Sequence, residues 1–464
     1  MPNGQAAGRC SVLMAVCGKT QGRNTYWQPA HCLFRTDRFY RALPAAECNR
    51  SIVLIMAEPV YILGAGRTDF KRNFKKEGKT IRHIILEAAR AAIGDAGIEP
   101  KEIQAGVVGN FASGLFTRQL HLGAFLTGID QKLRGIPTLH VEAACASGGV
   151  SVLTAAQQIM GGLHDVILVV GVEQQKTMSA QDGSDVLAAA GDYHAEKAQF
   201  GEFMFPKLFA HIAQIYMARY GLTEEQLAKV AVKNHAHARL NPLAQMRDST
   251  LTVKEACTAS EENPQFAAPL KVTDCSQITD GAAAVVLCSG RFLNRLAMRS
   301  AVRLLGYGHT TDHLALAEKD APDFSIARKA AEQAYAMASV RPHDIDAAEV
   351  HDCFSISEIV AYEILGFASS GKGAQLLESG ATALPSVCDR FASGPPERAI
   401  PVNVGGGLMG DGHPVGATGV RQVVEAYAQL TDSAGQRQVQ GAKRFLTFNM
   451  GGSVTTSVVM IWGT

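Results

Sequence analysis

The chain has 464 residues with 44 Lys and Arg against 43 Asp and Glu, and 47% of it is hydrophobic. That length suits about two to four domains with an ample core, and a formal net charge of +1 advertises neither nucleic acid nor an acidic surface as a partner. The longest apolar runs, such as Val166 to Val172, are strand-sized and too short for a membrane span.

Residues 1–55 hold four of the ten cysteines (Cys10, Cys17, Cys32, Cys48) and six Arg and one Lys against two acids. The stretch lacks sustained periodicity, so it is predicted to lie outside the fold. It reads either as a transit-type leader or as unstructured upstream sequence, with Met56 as the working start. The ten cysteines show no CxxC pair and no metal-like Cys/His spacing, which predicts reduced thiols and an intracellular protein.

From Met56 on, the chain repeats itself. Val60 to Thr68, VYILGAGRT, matches Val302 to Thr310, VRLLGYGHT, at an offset of 242, and the same register aligns Ala88 with Ala330, Ala92 with Ala334, Pro100 with Pro342 and Ala105 with Ala347. Alanine-rich helices match by chance, but flanking glycines, a proline and strand residues in one register do not. The first half reads as strand Val60 to Leu63, helix Ile81 to Ala96, strand Gly106 to Val108, a buried strand Thr138 to Ala144, helix Val150 to Met160, and strands Val166 to Val172 and Ala282 to Cys288. The second reads as strand Val302 to Leu305, helix Ile326 to Ala338, strand Ala347 to Val350, helix Ile356 to Leu365, a helix after His413, and strands Phe445 to Phe448 and Val454 to Ile461. Residues 56–300 and 301–464 are thus two α/β halves of one architecture. The first carries an inserted, mostly helical subdomain at about 173–271, with His235 and His237 expected on its surface.

Three turns follow strands and precede helices, where parallel α/β sheets bind ligands. Ala144-Cys-Ala-Ser-Gly-Gly149 places Cys145 at a helix N-terminus, which favours the thiolate, although a small cysteine packed against glycines is the plain alternative. Glu349-Val-His-Asp-Cys-Phe354 carries His351 and Cys353. The glycine-rich stretch Asn403 to Gly419 carries His413; its GHPVGATG block lacks both the Walker lysine and the G-x-G-x-x-G spacing that a phosphate loop needs. Two thiols and two imidazoles on such turns form a nucleophile-base set.

The blocks ACASGG, HDCFSISE, GHPVGATG and the closing NMGG resemble the active-site blocks of the thiolase superfamily, in particular its sterol-carrier-protein type. DGAAAVVL at Asp280 to Leu287 and NHAHARLNP at Asn234 to Pro242 are similar as well, and the likeness runs from Met56 to the C-terminus. It implies a five-layer fold of paired βαβαβαββ halves. It also implies that Cys145 is acylated, that His413 activates it, and that His351 and His413 hold a thioester oxygen. Backbone N–H groups of Cys145 and Gly451 would form a second oxyanion hole. Most thiolases carry their second cysteine where this chain has Asn449; the resemblance passes that role to Cys353. Ser276 of DCSQITDG would contact the pantetheine arm of CoA.

No metal or cofactor is implied, since CoA is a substrate. A homodimer or tetramer and a small OB-fold partner protein are implied. A decarboxylating ketoacyl synthase or retro-aldolase on the same scaffold is the alternative within enzymes, and a non-catalytic acyl-CoA-binding scaffold the alternative outside them. Trp462-Gly-Thr464 is not an SKL-type address, so a cytoplasmic location is expected, or a mitochondrial one if 1–55 is a transit peptide.

Overall fold

The computed structural model describes residues 57–296, 301–388, 396 and 398–464; the predicted 1–55 extension lies outside them. The strands are β1 (Val60–Arg67), β2 (Ala105–Gly109), β3 (Thr138–Val141), β4 (Val166–Glu173), β5 (Gln265–Ala267), β6 (Leu270–Lys271), β7 (Gly281–Ser289), β8 (Val302–Thr311), β9 (Ala347–Glu349), β10 (Arg444–Gly451) and β11 (Thr456–Gly463). Nine of them make one mixed sheet in the order β3-β2-β4-β7-β1-β8-β11-β10-β9, and β5 and β6 form a separate hairpin. β1 meets β8 antiparallel at Tyr61↔Arg303 and Ile62↔Val302. Reading outward from that seam, β1-β7-β4-β2 on one side mirrors β8-β11-β10-β9 on the other. Even the next position is echoed, since Val402 bridges β9 in parallel at Ala348, as β3 lies parallel to β2.

Four helices cover these half-sheets: α1 (Ile81–Ala96), α2 (Ser147–Met160), α3 (Ser325–Ala338) and α4 (Thr418–Leu430). Successive residues of a strand face opposite ways, and both faces are apolar here. Ile167, Val169, Ala283, Val285 and Leu287 pack with α2 and α4; Leu168, Val170, Ala282, Ala284 and Val286 pack with α1. α2 and α4 touch each other and strands of both halves, while α1 lies on β1 and β7 and α3 on β8 and β11. The result is the layered α/β/α/β/α arrangement expected.

The glycines shared by the two halves have a steric reason. A Cβ at Gly66 would stand 2.6 Å from Ala91 Cβ, and one at Gly308 would stand 1.8 Å from the Ala330 carbonyl oxygen. Helix backbone lies directly on the strand at both places, which also explains the matched alanines.

Two expectations are corrected. The Thr138 strand stops at Val141 and is not buried: it is the outermost strand of the sheet, with Leu139 47% exposed. His235 and His237 are buried, because their helix, α5 (Glu224–Ala238), packs against the second half. His237 Nδ1 lies 2.9 Å from the Asn403 carbonyl, and its Nε2 accepts the Leu384 N–H at 3.0 Å. Burial pushes their pKa values down, to about 4 for His235 and about 3 for His237.

Candidate active site

Cys145 sits on a turn locked by its own sequence. Ala144 adopts φ 51°, a left-handed conformation that a non-glycine residue holds only under external constraint. Here the Ser147 hydroxyl accepts the Ala143 N–H (2.9 Å) and donates to the Ala144 carbonyl (2.6 Å). The residue as a whole is half-buried, and its buried thiol is thereby presented just ahead of α2. Gly149 leaves no room for a side chain, as a Cβ there would meet Asn449 Oδ1 at 2.8 Å.

His413 follows Gly412, whose φ of 120° suits glycine alone. The loop before it is clamped: the Arg67 guanidinium forks onto the Asp411 carboxylate at 2.6 and 2.8 Å. The His413 N–H donates to Thr279 Oγ1 at 2.9 Å, and its Nδ1 lies 2.6 Å from Thr418 Oγ1. The Thr418 hydroxyl also points at the Pro414 carbonyl, 3.3 Å away. A hydroxyl that donates to that carbonyl accepts from an Nδ1–H, the tautomer whose Nε2 keeps its lone pair.

His351 and Cys353 lie between β9 and helix α6 (Ser355–Ile364). They rest on a buried polar network. Asn234 of the insert donates to Asp352 (2.7 Å) and Glu358 (2.6 Å), and Asn403 donates to Glu358 (2.6 Å). Lys233 pairs with Glu358, both side chains having zero exposure. Asp352 accepts the Leu408 and Met409 N–H groups at 2.7 and 3.3 Å, and burial, with Glu358 nearby, pushes its pKa up to about 7. The NHAHARLNP block therefore supports the HDCF block, a connection that sequence order conceals.

A donor atom of each of Cys145, His351 and His413 lies within 4.8 Å of the others. Cys145, Cys353, His413 and Ser276 open onto one cavity of about 270 Å³, which is mostly apolar and includes Phe203, Phe266 and Phe354 of the wall. Ser276 is tied to the site by its N–H, which donates to the Cys353 carbonyl at 2.9 Å. Gly451 packs its backbone against the Cys145 turn, where a Cβ would lie 2.3 Å from the Ala143 oxygen. The N–H groups that act on the resting Cys145 sulfur are those of Gly452 and of Cys145 itself.

Protonation departs from expectation. Burial raises the Cys145 thiol to about 12, and the Gly452 and Cys145 N–H groups offset this only in part. His413 is lowered to about 3 by burial and the Arg421 charge, and His351 falls well below its usual value through burial, His413 and Arg421. The helix terminus does not ionise the resting thiol, because desolvation in an apolar cavity outweighs it. Burial also keeps Cys353 a neutral thiol, its pKa held well above the usual range. Sequence reasoning missed Asn449, which it read only as an absent cysteine. Its Nδ2 donates to the Cys145 carbonyl at 3.0 Å and lies 3.1 Å from His351 Nδ1, while its Oδ1 accepts the Gly149 N–H at 3.0 Å.

Residues 60–291 match the family described as Thiolase, N-terminal domain, and residues 308–464 that described as Thiolase C-terminal domain-like. The chain belongs to the thiolase family. An acetyl-CoA acetyltransferase of Methanothermobacter thermautotrophicus is 38% identical to this thiolase over 404 residues, covering 87% of it and 99% of the relative. Sterol carrier protein 2 of Gallus gallus is 32% identical, covering 86% of the chain and 70% of the relative. Among solved structures, an Ltp2-ChsH2(DUF35) aldolase superposes with a TM-score of 0.70 at 22% identity, and human mitochondrial 3-ketoacyl-CoA thiolase with 0.64 at 17%. Each alignment covers 88% of this chain and 99% of the other. Those two establish the fold; the family match and the acetyltransferase relative establish that this thiolase is an acyltransferase enzyme. Among the described residues no helix is long and apolar enough to cross a membrane.

Proposed function

We propose that this thiolase exchanges acyl groups between CoA and Cys145, cleaving 3-ketoacyl-CoA or, in reverse, condensing two acyl-CoAs. The observation that carries the reading is the meeting of a thiol, an imidazole that burial keeps neutral and a second neutral thiol at one apolar cavity. The Cys145 proton passes to His413 Nε2 as sulfur attacks the 3-keto carbon. The oxyanion that forms is held by the backbone N–H groups of Cys145 and Gly451, while His351 and His413 hold the thioester oxygen. The bond between C2 and C3 breaks, and Cys353 gives its proton to C2 of the departing acetyl-CoA enolate. The Cys353 thiolate then takes the proton of incoming CoA, whose sulfur attacks the acyl-cysteine. Cys145 leaves and recovers its proton from His413, so every atom is returned. Each step uses groups of this chain, with CoA as substrate and Ser276 at the wall where its pantetheine arm would lie. A homodimer fits the exposed edge strand β3, and a small OB-fold partner remains part of the reading.

The test is peptide mass after exposure to acetoacetyl-CoA without free CoA. An acetyl adduct on the Cys145 peptide, removed by added CoA, is the expected result. A folded protein with no adduct from this or other ketoacyl-CoAs would overturn the assignment in favour of the aldolase or scaffold alternatives.

A further inference from the structure

The amide of Asn449 is buried, with 1% exposure, and two backbone atoms fix which way it faces. The Gly149 N–H only donates, so Oδ1 faces it; the Cys145 carbonyl only accepts, so Nδ2 faces that. The second Nδ2 proton is then directed at His351 Nδ1, 3.1 Å away. An N–H can be received there only by a lone pair, and a neutral imidazole whose Nδ1 accepts carries its single proton on Nε2. Burial near the Arg421 charge keeps that ring neutral.

We propose that Asn449 is a positioning residue that locks His351 as the Nε2–H tautomer, making it a hydrogen-bond donor to the substrate oxygen and never a base. The two imidazoles then hold opposite roles by construction. Thr418 leaves His413 its Nε2 lone pair, and Asn449 takes that lone pair away from His351. The lock has a second consequence. The Cys145, His351 and His413 donor atoms lie close enough together to invite a thiophilic cation, yet a metal needs the Nε2 lone pair that this tautomer withholds. Asn449 thus keeps the centre catalytic rather than chelating. The oxygen-binding role of His351 rests on the thiolase reading; the tautomer itself does not.

The test uses the full chain with ¹⁵N-labelled histidine. Long-range proton–nitrogen correlation reads the tautomer of His351, whose ring signals are assigned by their loss in His351→Gln. A pyrrole-type Nε2 with a pyridine-type Nδ1 is expected, and the reverse pattern overturns the proposal. Asn449→Asp offers Nδ1 a carboxylate and reverses the tautomer, whereas Asn449→Leu keeps the volume and removes the polar group. The Asp variant is expected to lose about 10²-fold or more in kcat, the cost of one oxyanion donor, with KM for acyl-CoA near wild type. It should lose more than the Leu variant and become inhibited by Cd²⁺ at far lower concentration than wild type. An Asp variant no worse than Leu, with unchanged Cd²⁺ sensitivity, overturns the proposal, since a packing role alone predicts that order. If neither variant folds, the wild-type spectrum decides. A wild type that forms no acyl adduct sinks the thiolase reading, while the spectrum and Cd²⁺ response still judge Asn449.

Discussion

The rings of His351 and His413 stand edge to face, their centroids 5.1 Å apart and their planes at 86°. Both are buried, and each additional proton would face Arg421 and, for His351, the other ring. His413 therefore holds its basic form at any pH above its lowered value of about 3, and the usual histidine transition near 6.5 is absent. The acid side of the kcat/KM profile should stay flat through pH 6 to 7. A limb near 6.5 would show that His413 titrates as a solvated imidazole.

The resting Cys145 thiol gives the companion prediction. With a value raised to about 12, its reactive thiolate fraction grows roughly tenfold per pH unit, because the ionised fraction of a group well below its pKa scales that way. Iodoacetamide alkylation of Cys145 in the absence of substrate should climb from pH 7 to pH 10 without levelling. A rate already constant at pH 7 would mean a preformed thiolate–imidazolium pair, and His413 would not be the base in the attacking step.

Cys353 is separable from Cys145 by the step it serves. On the proposed mechanism Cys353→Ala removes the acid for the enolate, so cleavage of 3-ketoacyl-CoA should fall by about 10² to 10⁴, the usual contribution of a positioned acid or base. Acylation of Cys145 by a simple acyl-CoA needs no carbon acid; Cys353 serves there only to protonate the departing CoA thiolate, a far weaker base than the enolate carbon, so this step should be slowed much less, read as the rate of a mass adduct. Loss of both activities would place Cys353 in the fold of the site and not in proton transfer.

The turns bearing Cys145, His351, Cys353 and His413 were legible because glycine, alanine and histidine leave few readings when they recur between strands and helices. The repeat at offset 242 was legible because close strand–helix contact at Gly66 and Gly308 forces the same small residues in both halves. What stayed hidden depends on long-range neighbours. Thr138 to Val141 reads like any strand, and only its place in the sheet order exposes it. His235 and His237 look like surface polar residues until α5 is laid against the Asn403 loop. The protonation of Cys145 follows from the cavity closed by the insert, and Asn449 matters through atoms 98 and 304 residues away.

Lys233 and Glu358 tie the insert to the second half with no solvent to screen them. Removing one partner leaves a buried charge with nothing opposite, which costs about 3–5 kcal/mol. Lys233→Met should therefore lower the unfolding free energy by about that much in urea titration. Lys233→Met with Glu358→Leu should recover part of the loss, since an apolar pair leaves no orphaned charge, although Asn234 and Asn403 then lose an acceptor. A single variant as stable as wild type would mean that water reaches the pair.

Two glycine-to-alanine changes have opposite expected signs. Gly94 lies inside α1, where an added Cβ meets nothing within 4 Å, so Gly94→Ala should stabilise by roughly 0.5–1 kcal/mol through lower unfolded-state entropy. Gly308 lies in β8 beneath α3, where the added Cβ would overlap the Ala330 carbonyl at 1.8 Å. A backbone oxygen cannot swing aside, so the whole helix must lift from the sheet and lose contacts on either side. Gly308→Ala should destabilise by about 1–3 kcal/mol or more, the range for overpacked cores. Thermal unfolding of the two variants beside wild type reads both signs. A Gly308→Ala melting temperature at or above that of wild type would show that α3 does not sit on the strand as closely as described, and the steric reason for the repeated glycines would fall with it.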